Sequence, residues 1–325
     1  MRVLVTGGTG YIGAHVTHAL AEAGHEPVVL DDLRRSRPGR LTGFPLERVG
    51  LEDVRGLLGV FDRRRPDAVV HLAGYISVGE SVAQPELYWG NNAVAASGLL
   101  VACARAPVKA FLFSSTAAVY GNAAVSPIPE GAALAPTSPY GASKLAFEGL
   151  LHAAAEGLGL RSVALRYFNA AGAHPLWGVG EEHLPEEHLI PRVIAALLDG
   201  RAVSVYGRDY ATPDGTCVRD YVHVTDLAEA HVRMLEAEGL PSGLNLNCGG
   251  GLGRSVLEVI AAVGHALGVE PRIDFLPRRP GDPASLVADP TALMQHTGWR
   301  PLHSELAEIV ASAIDWERRR RAGPS

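Results

Sequence analysis

Lysine is nearly absent: of 29 basic residues only Lys109 and Lys144 are lysines, and the other 27 are arginines. Cysteine is also scarce. Cys103, Cys217 and Cys248 lie far apart and form no CxxC pair. That excludes a disulfide framework and points to a reducing cytoplasm. Positive charge is not in excess; the formal net charge is −6, which argues against nucleic acid or an anionic membrane as the main partner. No stretch approaches the roughly 20 apolar residues of a membrane span. The N-terminus reaches glycine within seven residues, too soon for a secretory signal. The 13 histidines form no HxxxH or HxH pair beside acids except in the loop around His183 and His188. Those two read as solvated loop residues, and no residue is assigned to a metal. The closing RRRRAG reads as a solvated helix end.

What is present alternates. β-branched runs end at glycine or polar residues, and amphipathic stretches follow. Strands are expected at Val3–Thr6, Pro27–Asp32, Ala68–Gly74, Phe111–Ser115 and Ser162–Phe168. Helices are expected at Ile12–Ala23, Leu51–Arg65, Leu87–Ala106 (one long helix) and Tyr140–Glu156. This β-α alternation, with strands apolar on both faces, predicts an α/β fold with a doubly wound parallel sheet. After Phe168 the character changes. Asn169–Pro185 reads as a loop, and helices at Pro191–Leu198, Thr225–Glu236 and Ser255–Leu267 flank short strands at Val203–Tyr206 and Gly243–Asn247. A second, smaller α/β substrate domain is expected. The division runs 1–168 plus about 220–248 for the nucleotide-binding part, and 169–219 plus about 249–320 for the other.

Thr6-Gly7-Gly8-Thr9-Gly10-Tyr11-Ile12-Gly13 follows the first strand and opens the first helix. Gly7, Gly10 and Gly13 let the backbone approach a pyrophosphate at the helix N-terminus and let the helix pack closely on the sheet. Asp31 ends the next strand, 18 residues after Gly13. A carboxylate there binds ribose hydroxyls and repels a 2′-phosphate, favouring NAD. Arg34 and Arg35 follow and leave NADP as the competing choice.

In SPYGASK, Ser138 is a good N-cap and Pro139 suits the first helical position. Tyr140 and Lys144 are then four residues apart on one helix face. An ammonium beside a phenol favours the phenolate and lowers its pKa. A compact point charge suits that task better than a planar guanidinium. Thr116, at the end of FLFSST, is placed to bond a substrate oxygen, because ligands bind beyond the carboxyl ends of parallel strands. Ser115 competes for that role, and hydroxyls at strand ends also satisfy loose backbone groups.

TGGTGYIG, HLAGYISVGESV, NNAVA, FSSTAAVYG, SPYGASK, RYFNAAGAHP and GTCVRDYVHVTDLAEAH, in this order, closely resemble the extended short-chain dehydrogenase/reductase family. Within it the chain most resembles the NAD-dependent 4-epimerases that interconvert UDP-glucose and UDP-galactose. The resemblance implies a Rossmann fold and a hydride loan. Tyr140 takes the proton of the sugar 4-hydroxyl while NAD takes the C4 hydride; a 4-keto sugar turns over and receives the hydride on its other face. Lys144 and Thr116 complete the implied catalytic set. Tyr11, Ile12, Leu72, Ala73, Gly74, Asn91, Ser114 and Phe168 match cofactor positions. Asn169, His188, Leu189, Tyr206 (stacked on uracil), Arg219 and Arg279 (clamping the diphosphate), Asp282 (holding the uridine ribose) and Leu286 match substrate positions. A UDP-sugar, and a second copy of the chain through helices near 87–106 and 139–157, are the implied partners.

Three positions depart from the pattern. Ile76 stands where a polar cofactor contact is common. Gly50-Leu51-Glu52 lacks the aspartate that touches adenine, with Glu52 or Asp53 as replacements. Leu286 is intermediate between the tyrosine that narrows the sugar pocket and the small residue that admits an N-acetyl group. Epimerisation of another UDP-sugar (an N-acetylhexosamine, uronate or pentose) therefore stays open. A nucleotide-sugar dehydratase is disfavoured because Ala117 and Ala118, after Thr116, cannot transfer protons. A non-catalytic NAD-sensing protein would be expected to lose Tyr140 or Lys144.

Overall fold

A computed structural model describes residues 1–36, 41, 43–279 and 281–323. Thirteen strands occur among them: β1 (Arg2–Thr6), β2 (Glu26–Leu30), β3 (Leu46–Glu47), β4 (Ala68–His71), β5 (Ala110–Thr116), β6 (Arg161–Tyr167), β7 (Asn169–Ala171), β8 (Val203–Tyr206), β9 (Val218–His223), β10 (Leu244–Cys248), β11 (Gly253–Ser255), β12 (Ile273–Leu276) and β13 (Ser285–Leu286). The α-helices are α1 (Tyr11–Glu22), α2 (Val54–Arg64), α3 (Val78–Ala83), α4 (Pro85–Trp89), α5 (Ser97–Cys103), α6 (Pro139–Leu158), α7 (Leu189–Leu198), α8 (Val224–Glu236), α9 (Val256–Leu267), α10 (Thr291–Thr297) and α11 (Leu306–Ala322).

Seven strands form one parallel sheet in the order β10-β6-β5-β4-β1-β2-β3. The chain steps one way from β1 to β3 and the other way from β4 to β10. The reversal lies between β1 and β4, where Thr6 pairs with His71, and ligands bind at such a switch point. Both faces are covered, which explains the unbroken apolar strands. On one face Val16, Leu20, Leu227, Met234 and Trp299 pack against the sheet; on the other, Phe61, Leu99, Phe147 and Leu151 do so. β10 joins this sheet beside β6, far from it in sequence, with Cys248 opposite Tyr167.

A smaller assembly follows β6. β9 lies between β11 and β13 and also pairs with β7, while β8 pairs with β12. Its own core holds Ile190, Val193, Val205, Val259, Ile260 and Ile309. Two expectations change here. The loop expected at Asn169–Pro185 begins as strand β7, because Asn169 and Ala171 pair with Tyr221 and His223. The single helix expected at Leu87–Ala106 is α4, a π-helical turn at Gly90–Ala95, and α5. A π turn carries an extra residue and rotates the face that follows, which a 3.6-residue periodicity cannot anticipate.

Candidate active site

The glycine turn is set by steric limits. Gly7 has φ +68°, and a Cβ there would stand 2.5 Å from the Ala73 nitrogen. A Cβ on Gly13 would stand 2.1 Å from the Gly7 carbonyl oxygen. Only glycine lets β1, α1 and the Leu72–Gly74 segment converge. α1 begins at Gly10 with no side-chain cap and no acid in its first turn. Its first N–H groups are thus left to an anionic ligand, and the turn fits a dinucleotide pyrophosphate. Of the two residues that follow Gly10, Tyr11 turns its ring away and donates its hydroxyl to the Gly172 carbonyl at 2.6 Å. Ile12 packs against the sheet core.

Asp31 is buried at the end of β2. Its Oδ2 accepts from the Thr9 hydroxyl at 2.6 Å, and its Oδ1 accepts from Leu33 N–H at 2.9 Å and Ser36 at 2.8 Å. The two arginines that left NADP open are engaged: Arg34 with Glu52, and Arg35 in a two-point contact with Glu80 at 2.7 and 2.8 Å. The Glu52 carboxylate folds over Gly50, where a Cβ would lie 2.5 Å from it. Asp53 caps α2 through Gly56 N–H. Ile76 is exposed.

α6 starts as its sequence suggests, with Ser138 Oγ accepting from Gly141 N–H at 3.2 Å and Pro139 in the first turn. Tyr140 and Lys144 descend from it toward the end of β5. Strand alternation sends neighbouring β5 side chains to opposite faces. Thr116 Oγ1 accepts from Ala118 N–H at 3.1 Å and stands beside Tyr140, whose anion its hydroxyl favours. Ser115 points the other way, to Glu148 at 2.5 Å, which removes it as the competitor for the Tyr140 side. Ser114 lies on the same face as Thr116, and its carbonyl accepts from Lys144 Nζ at 2.9 Å.

The electrostatics correct one expectation. Burial raises the Tyr140 pKa, and the Thr116 hydroxyl only partly offsets this. Burial lowers that of Lys144 to about 8. The protein alone therefore does not hold an anionic phenol. The buried ammonium spends a hydrogen bond on Ser114 and lies 4.9 Å from the Phe113 ring centre.

Asn92 belongs to this centre and escaped the sequence. It is buried; its Oδ1 accepts from Tyr75 N–H at 2.8 Å and its Nδ2 donates to the Tyr75 carbonyl at 2.9 Å. A Cβ on Gly74 would meet Lys144 Nζ at 3.1 Å and Asn92 Oδ1 at 3.2 Å, so Gly74 leaves room for both. Asn91 only donates to Asn92. The pair reads identically in sequence, and the π turn decides which one faces inward.

Three adjacent strands carry the next group. Leu286 on β13 pairs with Arg219 on β9, and Asn169 on β7 donates to the Asp220 carbonyl at 2.8 Å. Leu286 packs with Ala117 and Phe168, which brings it beside Thr116 in the chain. Arg219 lies 3.8 Å from Asp282. Asp220, its sequence neighbour, instead accepts N–H groups of Gly250, Gly251 and Ala288. Tyr206 does not present a bare face: Arg279 stacks on its ring at 3.9 Å, and Arg192 of α7 also bonds it.

His188 caps the start of α7, just before Leu189. His188 is exposed, as expected of a loop residue, whereas His183 is half-buried. Both face Glu181, which is buried. Burial works against ionisation of Glu181, yet His188 and His183 together pull its pKa down to about 2. Burial also opposes charge on His183, which Glu181 and Glu186 raise to about 9.

Comparison with known proteins agrees with this geometry. The sequence pattern of the NAD dependent epimerase/dehydratase family matches residues 3–249. The UDP-glucose 4-epimerase of Azospirillum brasilense is 47% identical over 320 residues, covering 98% of this chain and 92% of that protein. The crystal structure of a UDP-glucose 4-epimerase from Stenotrophomonas maltophila, with bound NAD and formylated UDP-arabinopyranose, is 38% identical. It superposes with a TM-score of 0.93 over 100% of both chains. That of Brucella ovis, in complex with NAD, is 40% identical with a TM-score of 0.93 over 97% of both chains. The chain belongs to the NAD dependent epimerase/dehydratase family.

Proposed function

We propose that the protein is an NAD-dependent 4-epimerase that interconverts UDP-glucose and UDP-galactose. The observation that carries the reading is the placing of Tyr140 beside Thr116 at the carboxyl edge of β5, where the threonine hydroxyl favours the phenol's anion, one helical turn from the only buried lysine ammonium among the described residues. Bound NAD supplies reversible hydride acceptance at the sugar C4. The turn at Gly7–Gly13, Leu72–Gly74, Asp31 and the Asn92–Lys144 pair would hold it. Tyr140 takes the 4-hydroxyl proton and returns it. Thr116 bridges the phenol and the sugar oxygen. Lys144, held by the Ser114 carbonyl, supplies the neighbouring positive charge that favours the phenol's anion. Asn169, His188, Leu189, Arg219, Arg279 and Asp282 would bind the UDP part, with Arg279 leaving the Tyr206 ring as uracil takes its place.

Leu286 sets how much bulk fits beside the sugar, and some turnover of UDP-N-acetylhexosamines is expected. Absence of UDP-GalNAc turnover at enzyme levels that saturate with UDP-galactose would refute that. The exposed Val78, Val82, Trp89, Val94 and Leu150 support a homodimer through α3–α6. Three free cysteines suit the cytoplasm. The chain divides into a nucleotide part (1–168 with about 220–248) and a UDP-sugar part (169–219 with about 249–320); the return of β10 to the large sheet supports the discontinuous split.

The test is direct. The purified protein, with no cofactor added, is incubated with UDP-galactose and the mixture is assayed for UDP-glucose. Formation of the C4 epimer supports the reading, and its absence with NAD supplied overturns it.

A further inference from the structure

The geometry points to a divalent-metal site at Glu181, His183, Glu186 and His188, next to the proposed UDP-binding residues and sharing His188 with them, that takes a transition-metal ion of the zinc class and fastens the segment before α7. Each of the four residues offers one donor atom, and these atoms all lie within 4.8 Å of one another. His183 Nδ1 is 3.3 Å from Glu181 Oε1 and 3.6 Å from Glu186 Oε2, and His188 Nδ1 is 3.7 Å from Glu186 Oε1. Tetrahedral zinc, with bonds of about 2.0–2.1 Å, spaces its ligands about 3.3–3.4 Å apart. The first separation matches that value and the other two exceed it slightly, while His188 Nδ1 and Glu181 Oε1, now in direct hydrogen bond, would have to part to admit the ion.

The orientation supports the same point. His183 Nδ1 is shielded from water and makes no hydrogen bond of good geometry with either carboxylate beside it. His188 Nδ1 pairs directly with Glu181 Oε1, whereas His183 Nδ1 lies between two carboxylates without aligning to either, a placement that suits a shared central cation. Two imidazole nitrogens and two carboxylate oxygens form a mixed donor set suited to zinc, not the all-oxygen set of calcium or magnesium.

The ligands are braced from behind, as metal ligands usually are. The Glu186 carboxylate accepts the backbone N–H groups of Glu187 and His188, each at 2.9 Å. The Glu181 carbonyl accepts from Trp316 Nε1 of α11 at 2.8 Å. The His183 ring meets Tyr11 of α1 edge-on, with centroids 6.4 Å apart. An ion here would pin one loop to α1, α7 and α11 at once. Its role is structural, since all four ligands come from the chain.

The test uses the full-length protein stripped with chelator and dialysed against Zn²⁺ at neutral pH, with metal content read by mass spectrometry. One zinc per chain is expected, together with a rise in melting temperature on adding Zn²⁺. His183→Ala and Glu186→Gln should each weaken zinc binding at least about 100-fold and abolish the thermal shift. His303→Ala, which alters a surface histidine paired with Glu308, should retain both. Zinc content no higher in the parent protein than in His183→Ala and Glu186→Gln would overturn the inference. None of these readouts depends on epimerase activity, so failure here leaves the proposed function standing.

Discussion

Thr116 stands beside Tyr140 at the end of β5, where its hydroxyl favours the phenol's anion, while Ser115, one residue earlier, faces the opposite side toward Glu148. Two adjacent hydroxyls thus have separate duties. Thr116→Val is expected to lower kcat by about 100-fold or more, and Thr116→Ser to restore most of it. Ser115→Ala should leave kcat within a few-fold and lower stability instead. Steady-state kinetics and urea unfolding of the three variants check this; equal kinetic loss in Ser115→Ala would contradict it.

Lys144 and Tyr140 titrate against their burial. A half-buried phenol raised in pKa and a buried ammonium lowered to about 8 both resist charge. Removing the cation makes the phenolate harder to form. In Lys144→Met the rising limb of kcat/KM should therefore move to higher pH, with a large loss of rate at pH 7. The pH–rate profiles of parent and variant measure it. An unmoved limb would show that Lys144 does not assist Tyr140.

Arg166 and Glu148 form a buried ion pair at 2.8 Å, with side chains 2% and 4% exposed. Arg166 also donates to the Tyr120 hydroxyl at 2.9 Å. Removing one partner strands the other charge, at a cost of about 3–5 kcal/mol. Arg166→Met should lower the urea midpoint accordingly, whereas Arg233→Met, at an exposed pair with Glu229, should change it little.

Cofactor choice rests on charges around Asp31. Because Glu52 and Glu80 occupy Arg34 and Arg35, the double variant Glu52→Gln/Glu80→Gln should free two guanidinium groups. The affinity ratio for NADP over NAD should then rise by about tenfold, a shift of roughly 1.4 kcal/mol. Equilibrium titration with both nucleotides reads the ratio directly.

Much of this was legible in the sequence because it depends on local rules. The glycine turn, the Ser138 cap and the Tyr140–Lys144 spacing follow from backbone sterics and helix pitch. Contacts made across long sequence separations were not legible. Nothing in VRDYVH says that Asp220 will hold Gly250, Gly251 and Ala288. Nothing in GVGEEHLPEEHL says that Glu181 will be buried among histidines. Asn92 was hidden for another reason: helical periodicity assumes an unbroken α-helix, and the π turn at Gly90–Ala95 turns the second asparagine inward. The pKa of Tyr140 was misjudged because spacing reveals a neighbouring charge but not the burial that outweighs it.

The most direct measurement is the epimerisation rate of Tyr140→Phe with UDP-galactose, in a protein verified to bind NAD as the parent does. Loss of one hydroxyl should lower kcat by about a thousandfold or more while KM changes only a few-fold. A kcat close to that of the parent would mean that another group moves the proton.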